Sequence, residues 1–443
     1  MKNKVNIIGA GLAGSEAAWQ VASRGIEVNL YEMRPKKQTP AHNTDLFAEL
    51  VCSNSLRADR LTNAVGLLKE EMRRMNSLII SAADKNRVPA GGALAVDREK
   101  FSMYITKKIK NHPLINVINQ EVTEINPDIV TIVAAGPLCS NDLANSLKEL
   151  VKEEYLHFFD AAAPIVTKES IDFSKAFFGA RYEEDSTDYI NCPMNDKEYN
   201  NFYNELINAE LQNMKEFEEI NIFEGCMPIE EMAKRGIKTL LFGPLKPVGL
   251  SDGDCDDFHA VVQLRQDNLE GTLYNMVGFQ TRLKWPEQKR VFKMIPGLEK
   301  AEFVRLGVMH RNTFINSPKS LLKTGQLKEY PKVFIAGQIS GVEGYVESAA
   351  SGLICGINAT KVVKGELTLT WPIESAHGAL MSYITTSVKK EFQPMNITFG
   401  LIPQLNEKVR KRREKRLKIS KRALEKLAVF ISEEKINENG EVV

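Results

Sequence analysis

The chain has 443 residues, enough for two or three domains with sizeable cores. With 43% hydrophobic and 26% charged residues its composition is ordinary for a globular chain, and no apolar run approaches the roughly 20 residues needed to span a bilayer, so no membrane partner is expected. The net charge of +1 conceals eleven Lys or Arg residues against Glu414 and Glu425 between Lys408 and Lys426, a local +9 that leaves about −8 elsewhere.

The first element is the most specific. Val5 to Ile8 reads as a buried strand, and Gly9-Ala10-Gly11-Leu12-Ala13-Gly14 follows it into a helix. Gly9 permits the tight turn, Gly11 lets backbone approach a pyrophosphate, and Gly14 lets the helix pack closely on the sheet. The helix start offers free N–H groups and the positive dipole end to an anion. Val28 to Glu32 is the second strand, and its terminal carboxylate, 18 positions after Gly14, suits a ribose hydroxyl. A polar loop follows from Arg34 to Pro40. Leu61 to Met75 has helical apolar spacing through Leu67, Leu68 and Met72.

Pro89 to Ala93 is a small-residue loop whose backbone, at Gly91 and Gly92, suits a flat ligand. Asp97 is placed to cap a helix through Phe101, Tyr104 and Ile105. Short strands are expected at Asn116 to Ile118 and Glu121 to Ile125, and a buried one at Ile129 to Ala135, ending at Gly136. The texture then changes. Aromatics and acids mix, Asn200 to Phe217 has helical spacing, and Gly/Pro turns recur up to Asp254. Val333 to Gly337 returns as a strand aimed at a helix that begins near Glu343. The rest, from Trp371, reads as helical and carries the basic segment. Three separated segments meeting at one nucleotide favour FAD, since a simple NAD dehydrogenase needs only the first.

Six scattered cysteines without a C-x-x-C pair suggest neither a metal site nor a disulfide framework, and point to a reducing cytoplasm. Lys2 and Lys4 run straight into the first strand, so no signal peptide is expected. Cys52 lies in Val51-Cys52-Ser53-Asn54-Ser55-Leu56-Arg57, where the Arg57 guanidinium would favour a thiolate. Cys226 lies between Gly225 and a proline turn at Pro228, a setting that exposes a side chain. A thiolate is the natural nucleophile for an activated ring carbon, although a lone cysteine is more often a small buried hydrophobe. The basic run reads either as a solvated helix face or as a polyanion contact, and its density favours nucleic acid.

Together these residues resemble the folate- and FAD-dependent RNA uracil-5-methyltransferases. The resemblance runs from Val5 to beyond Trp371. It is most specific in Tyr31 to Pro35, Leu50 to Arg57, Pro89 to Asp97, Phe223 to Met232, Gln280 to Lys289, Gly307 to Pro318 and Ala336 to Gly352. It implies an α/β chain with a Rossmann-like FAD-binding domain of the glutathione-reductase/GidA-like kind, an inserted α+β domain and a helical basic C-terminal region. The corresponding divisions are 1–155, 156–327, 328–370 and 371–443. It implies that 5,10-methylenetetrahydrofolate donates carbon, that reduced FAD carries it and supplies hydride, and that NADH or NADPH restores the flavin.

By the same resemblance Cys226 adds to uracil C6, and Cys52 assists as base or as partner of the flavin-bound carbon. Gly9 to Gly14, Glu32, Arg34, Gly136, Gly337 and Gln338 would hold FAD. Gly91, Gly92, Trp285, His310 and Asn312 are folate candidates, with packing the plainer reading for Trp285. Arg57, Arg311, Arg410, Lys411, Arg412, Arg413 and Arg416 are RNA candidates. The implied substrate is the T-loop uridine of tRNA, with a uridine of 23S ribosomal RNA as the alternative and no obligate protein partner. More distant readings are an FAD enzyme of wobble uridines, a small-molecule flavin oxidoreductase and a non-catalytic RNA-binding flavoprotein.

Overall fold

The computed structural model describes residues 4–39, 41–152, 156–183, 186–212, 227–250, 258–307, 309–386 and 392–437. The first stretch contains β1 (Lys4–Ile8), α1 (Leu12–Ala22), β2 (Glu27–Glu32), β3 (Ser55–Ala58), α2 (Ala64–Arg74), α3 (Leu78–Lys85) and β4 (Arg87–Val88). It continues with β5 (Ala93–Val96), α4 (Arg98–Lys110), β6 (Ile115–Asn119), β7 (Thr131–Val133) and α5 (Asn141–Val151). The middle holds β8 (Leu156–Ala161), β9 (Ile165–Thr167), β10 (Phe177–Phe178), β11 (Tyr189–Met194), α6 (Asp196–Asn208) and α7 (Ile229–Lys234). After these come β12 (Ala260–Gln266), β13 (Leu273–Met276), α8 (Trp285–Phe292), β14 (Phe303–Arg305) and β15 (Met309–Phe314). The last stretch has α9 (Ser317–Ser320), β16 (Val333–Ile335), α10 (Tyr345–Val363), α11 (Ala376–Thr386) and α12 (Arg412–Glu433).

Five strands form a parallel sheet in the order β16-β7-β1-β2-β6. The order reverses at β1, so a crevice opens at the carboxyl ends of the central strands, where open α/β sheets bind ligands. Val5, Ile7, Val28 and Leu30 are fully buried, as expected for a sheet covered on both faces. Helices α1 and α10 cross one face at backbone contact. A Cβ on Gly352 would stand 2.2 Å from the Ala13 carbonyl oxygen, and one on Gly356 2.8 Å from that of Ala17. Ser351 Oγ accepts from Gly337 N at 2.7 Å, fastening α10 to the turn after β16.

A six-stranded antiparallel sheet, β10-β11-β12-β13-β9-β14, has its own core, in which Val262, Leu264, Met276, Phe279 and Phe292 are fully buried. Strands β8 and β15 pair with each other. At the C-terminal end, the buried Glu71 carboxylate accepts from Ala376 N at 2.7 Å and His377 N at 3.1 Å, capping α11 against α2. Among the described residues no helix is long and apolar enough to cross a membrane, and no His/Cys/Asp/Glu group could hold a metal ion.

Two expectations are corrected. Glu121 to Ile125 is not a strand: the chain there travels from β6 at one sheet edge to β7 beyond β1, which leaves it no neighbour to pair with. The helix expected over 200–217 starts earlier, where Asn195 and Glu198 form a capping box. It ends at Asn208, after which Leu211 bridges to Leu283; residues 213–217 lie outside the described residues. Replacing Gly352 by Ala forces α10 away from α1. A loss of about 1–3 kcal/mol is expected, read as a lower thermal midpoint.

Candidate active site

A cavity of about 430 Å³ occupies the crevice. Gly9, Gly11, Leu12, Ala13, Glu32, Arg34, Gly136, Gly337 and Gln338 line it, so three distant segments share one wall. Gly9, Gly136 and Gly337 have φ of 97°, 72° and 80°, a region that favours glycine. A Cβ on Gly11 or Gly136 would meet no atom within 4 Å, which leaves open space beside the α1 N-terminus. That terminus has no side-chain cap, so its N–H groups are available to an anion. Ala10 and Gly14 serve the scaffold instead. Ala10 N donates to Glu32 Oε2 at 2.9 Å, and a Cβ on Gly14 would stand 1.8 Å from the Gly9 carbonyl oxygen.

Glu32 Oε1 also accepts from Arg34 N at 3.1 Å and Arg34 Nε at 3.0 Å. Burial alone would raise the Glu32 pKa, but the Arg34 hydrogen bond and charge outweigh it and hold the carboxyl below its ordinary value. The anionic glutamate is thereby fixed at the cavity wall, beside the turn after β1. Asn275, also on the cavity lining, is buried, and among the described residues its Nδ2 has no partner, a donor available to a ligand. Open space at the glycines, a helix N-terminus, a fixed carboxylate and a spare amide donor together fit a dinucleotide.

Cys52 lies on the same cavity wall, half-buried. Its backbone N donates to the Tyr345 hydroxyl at 2.7 Å, and Ser53 N does so at 3.3 Å. Tyr345 opens α10, so the helix that packs on α1 also holds the cysteine segment. Asn54, fully buried, donates to Val96 O at 3.0 Å and Gln266 O at 2.9 Å, and accepts from Arg265 Nε at 3.0 Å. Through it the segment is stitched to both β5 and β12. Arg57, the guanidinium expected beside Cys52, instead pairs with the buried Glu347. The cations that hydrogen-bond the residues flanking Cys52 are Arg98, Arg265 and Arg305, which raise no signal in the sequence because they come from α4, β12 and β14.

The other candidates separate. Asn312 is buried on the cavity wall. Gly91 and Gly92 form the β4–β5 turn outside the cavity, where Gly91 N donates to Asp188 and a Cβ on Gly92 would meet the Arg60 guanidinium at 3.0 Å. Trp285 is 55% exposed at the start of α8 and does not line the cavity. His310 and Arg311 lie on β15. Arg410, Lys411, Arg412 and Arg413 are exposed at the approach to α12, whereas Arg416 turns inward to Thr62 O and the Phe399 ring. Cys226 lies outside the described residues.

Fold and crevice define a Rossmann-type dinucleotide-binding protein with a cysteine at the cofactor cavity. The solved structure of Aquifex aeolicus GidA in its form I crystal superposes with a TM-score of 0.71 at 18% identity, covering 98% of this chain and 76% of that one. The family model described as Glucose inhibited division protein A matches residues 4–367. The methylenetetrahydrofolate–tRNA-(uracil-5-)-methyltransferase TrmFO of Listeria welshimeri is 62% identical over 426 residues, 96% of this chain and 98% of the relative. That of Desulforamulus reducens is 61% identical over 436 residues, 98% and 99% of the two chains. The chain belongs to the TrmFO family within this GidA-type fold.

Replacing Glu32 by Ala leaves three buried donors without their acceptor. We expect a loss of about 2–4 kcal/mol in thermal or denaturant unfolding. Because the native pKa is depressed, the Glu32 contribution is complete above pH about 4.5 and fades as pH falls through the lowered value; the Ala variant lacks that part of the acid dependence. Lys69 has a pH dependence of the same sign in a higher range. Its buried ammonium donates to Leu56 O and Arg57 O at 2.9 and 3.1 Å, and burial lowers its pKa to about 7. The unfolded chain therefore binds more protons between pH 7 and 10.5, so stability should rise across that interval, and Lys69→Met should flatten the rise.

Proposed function

We propose that this chain methylates C5 of a tRNA uridine, forming 5-methyluridine, with 5,10-methylenetetrahydrofolate as carbon donor, FAD as cofactor and NADH or NADPH as reductant. The observation that carries the reading is the placement of Cys52 on the wall of the cavity that Gly9, Gly11, Leu12 and Ala13 also line. Relatives of near-full-length match bear that enzyme's name. FAD, which Gly9, Gly11, Leu12, Ala13, Glu32, Gly136, Gly337 and Gln338 would hold, supplies the hydride and the carrier for the one-carbon unit when bound.

The chain's own part is acid–base and nucleophilic. The Cys226 thiolate adds to uracil C6: an S–C bond forms and the ring's double-bond electrons move toward C5 and the 4-carbonyl. Once C5 carries the new carbon, the Cys52 thiolate takes the C5 proton. An S–H bond forms, the C5–H electron pair restores the double bond, and Cys226 leaves as thiolate. The exposed cations Arg410 to Arg413 bind phosphates, with Arg57 on the cavity wall, and help offset the cost of presenting a flipped uridine, roughly a few kcal/mol. Asn312 and the Asn275 amide, whose Nδ2 has no partner among the described residues, are polar groups of the cavity lining that could meet folate or base. The work takes place in the cytoplasm, in keeping with cysteines that show no disulfide or metal pattern. The divisions 1–155, 156–327, 328–370 and 371–443 belong to the same reading; parallel-sheet strands drawn from the first and third, and antiparallel-sheet strands drawn from the second, support them.

The test supplies the folate donor and NAD(P)H to the protein with total tRNA and, separately, ribosomal RNA, and maps 5-methyluridine by mass spectrometry. Methylation of tRNA is expected, with a loss of about 10²-fold or more in Cys52→Ser and no turnover in Cys226→Ala. Methylation confined to ribosomal RNA would change the target, and full activity in Cys226→Ala would remove it as nucleophile.

A further inference from the structure

We propose that Arg98, Arg265 and Arg305 act as a positioning clamp on the Cys52 segment and keep the Cys52 sulfur anionic. The contacts bracket the cysteine on both sides. Arg98 Nη1 donates to Leu50 O and Arg305 Nη2 to Val51 O, ahead of it. Arg265 donates through Nη2 to Ser53 Oγ at 2.7 Å and through Nε to Asn54 Oδ1 at 3.0 Å, after it. Four residues around Cys52 are thus held by three guanidiniums from three elements.

Charge completes the argument. Among the described residues the one carboxylate paired with any of the three guanidiniums is Asp267, which binds Arg98 at 2.9 and 3.1 Å. Among the described residues neither Arg265 nor Arg305 has a carboxylate partner. The other titratable groups facing them are Tyr345 from α10, Tyr189 from β11 and Cys52 itself. Burial of Arg265 and Arg305 costs proton affinity, and Cys52 lies close enough to all three arginines to restore some of it as an anion. Unbalanced buried charge is expensive, and the thiolate is the counter-ion the protein can supply at this place. Cys139 provides the contrast: it lines the same cavity, lacks such surroundings, and burial pushes its thiol up to about 11.

The use of this thiolate as the base in methyl transfer rests on the function proposed above; the charge state itself does not. The experiment therefore requires no turnover. Purified protein is alkylated with iodoacetamide across pH 5.5 to 10, and the Cys52 and Cys139 peptides are quantified by mass spectrometry. Wild-type Cys52 should reach half-maximal rate about one pH unit or more below the ordinary thiol value of about 8.5, with Cys139 well above it. In Arg305→Gln and Arg265→Gln the Cys52 midpoint should rise by about one unit, a roughly tenfold slower reaction near neutral pH. Arg305→Lys, which keeps the charge, should lie closer to wild type. A wild-type midpoint at or above the ordinary value overturns the proposal without recourse to any variant, as does an unchanged midpoint in both Gln variants. Absence of methyl transfer with a depressed midpoint would overturn the function and leave the clamp standing.

Discussion

Helix α10 lies against α1 with backbone rather than side chains between them, and the crevice depends on that contact. Gly352 and Gly356 leave no Cβ at the crossing, so Ala13 and Ala17 carbonyls approach where any side chain would collide. The contact brings a segment more than 300 positions away to the opening strand–helix unit. It sets Gly337 within reach of Ala13 and turns the α10 N-terminus, with Tyr345, toward the cavity. Because Tyr345 then accepts from Cys52 N and Ser53 N, the same crossing also holds the reactive segment.

The cysteine segment joins two sheets that have separate cores. Asn54 reaches β5 on one side and β12 on the other, while from the antiparallel sheet Arg265 reaches Asn54 and Arg305 reaches the Val51 carbonyl. A loop with so many buried polar groups is stable only when each is paired, and here the pairs come from the neighbouring sheet. Cofactor end and cysteine end are therefore mechanically connected: moving the antiparallel sheet would move Cys52 relative to Gly9 and Gly337.

Local patterns account for what was legible. The glycines from Gly9 to Gly14 and the acid at Glu32 have roles set by backbone freedom and by spacing along one βαβ unit, and the structure places them as that spacing requires. The Asp97 cap likewise needs only its own helix. Local pattern was a poorer guide where a neighbour distant in sequence supplies the contacts. Gly91 and Gly92 have the composition of a ligand loop, but the turn is taken up by Asp188 and Arg60. Arg57 stands near Cys52 in sequence yet is claimed by Glu347, 290 positions on. Arg416 belongs to the basic run but packs on Phe399.

The sequence by itself determined the dinucleotide turn, the acid that follows it, the concentration of positive charge near the C-terminus and the two cysteines worth asking about. Each is a property of short stretches, governed by φ freedom, periodicity or charge density. Only the tertiary structure decided that Cys52 shares a wall with the glycine turn, and that its cations are Arg98, Arg265 and Arg305. Electrostatic surroundings are set by distance in space, and three arginines spread over more than 200 residues have no common signature until α4, β12 and β14 meet around one loop.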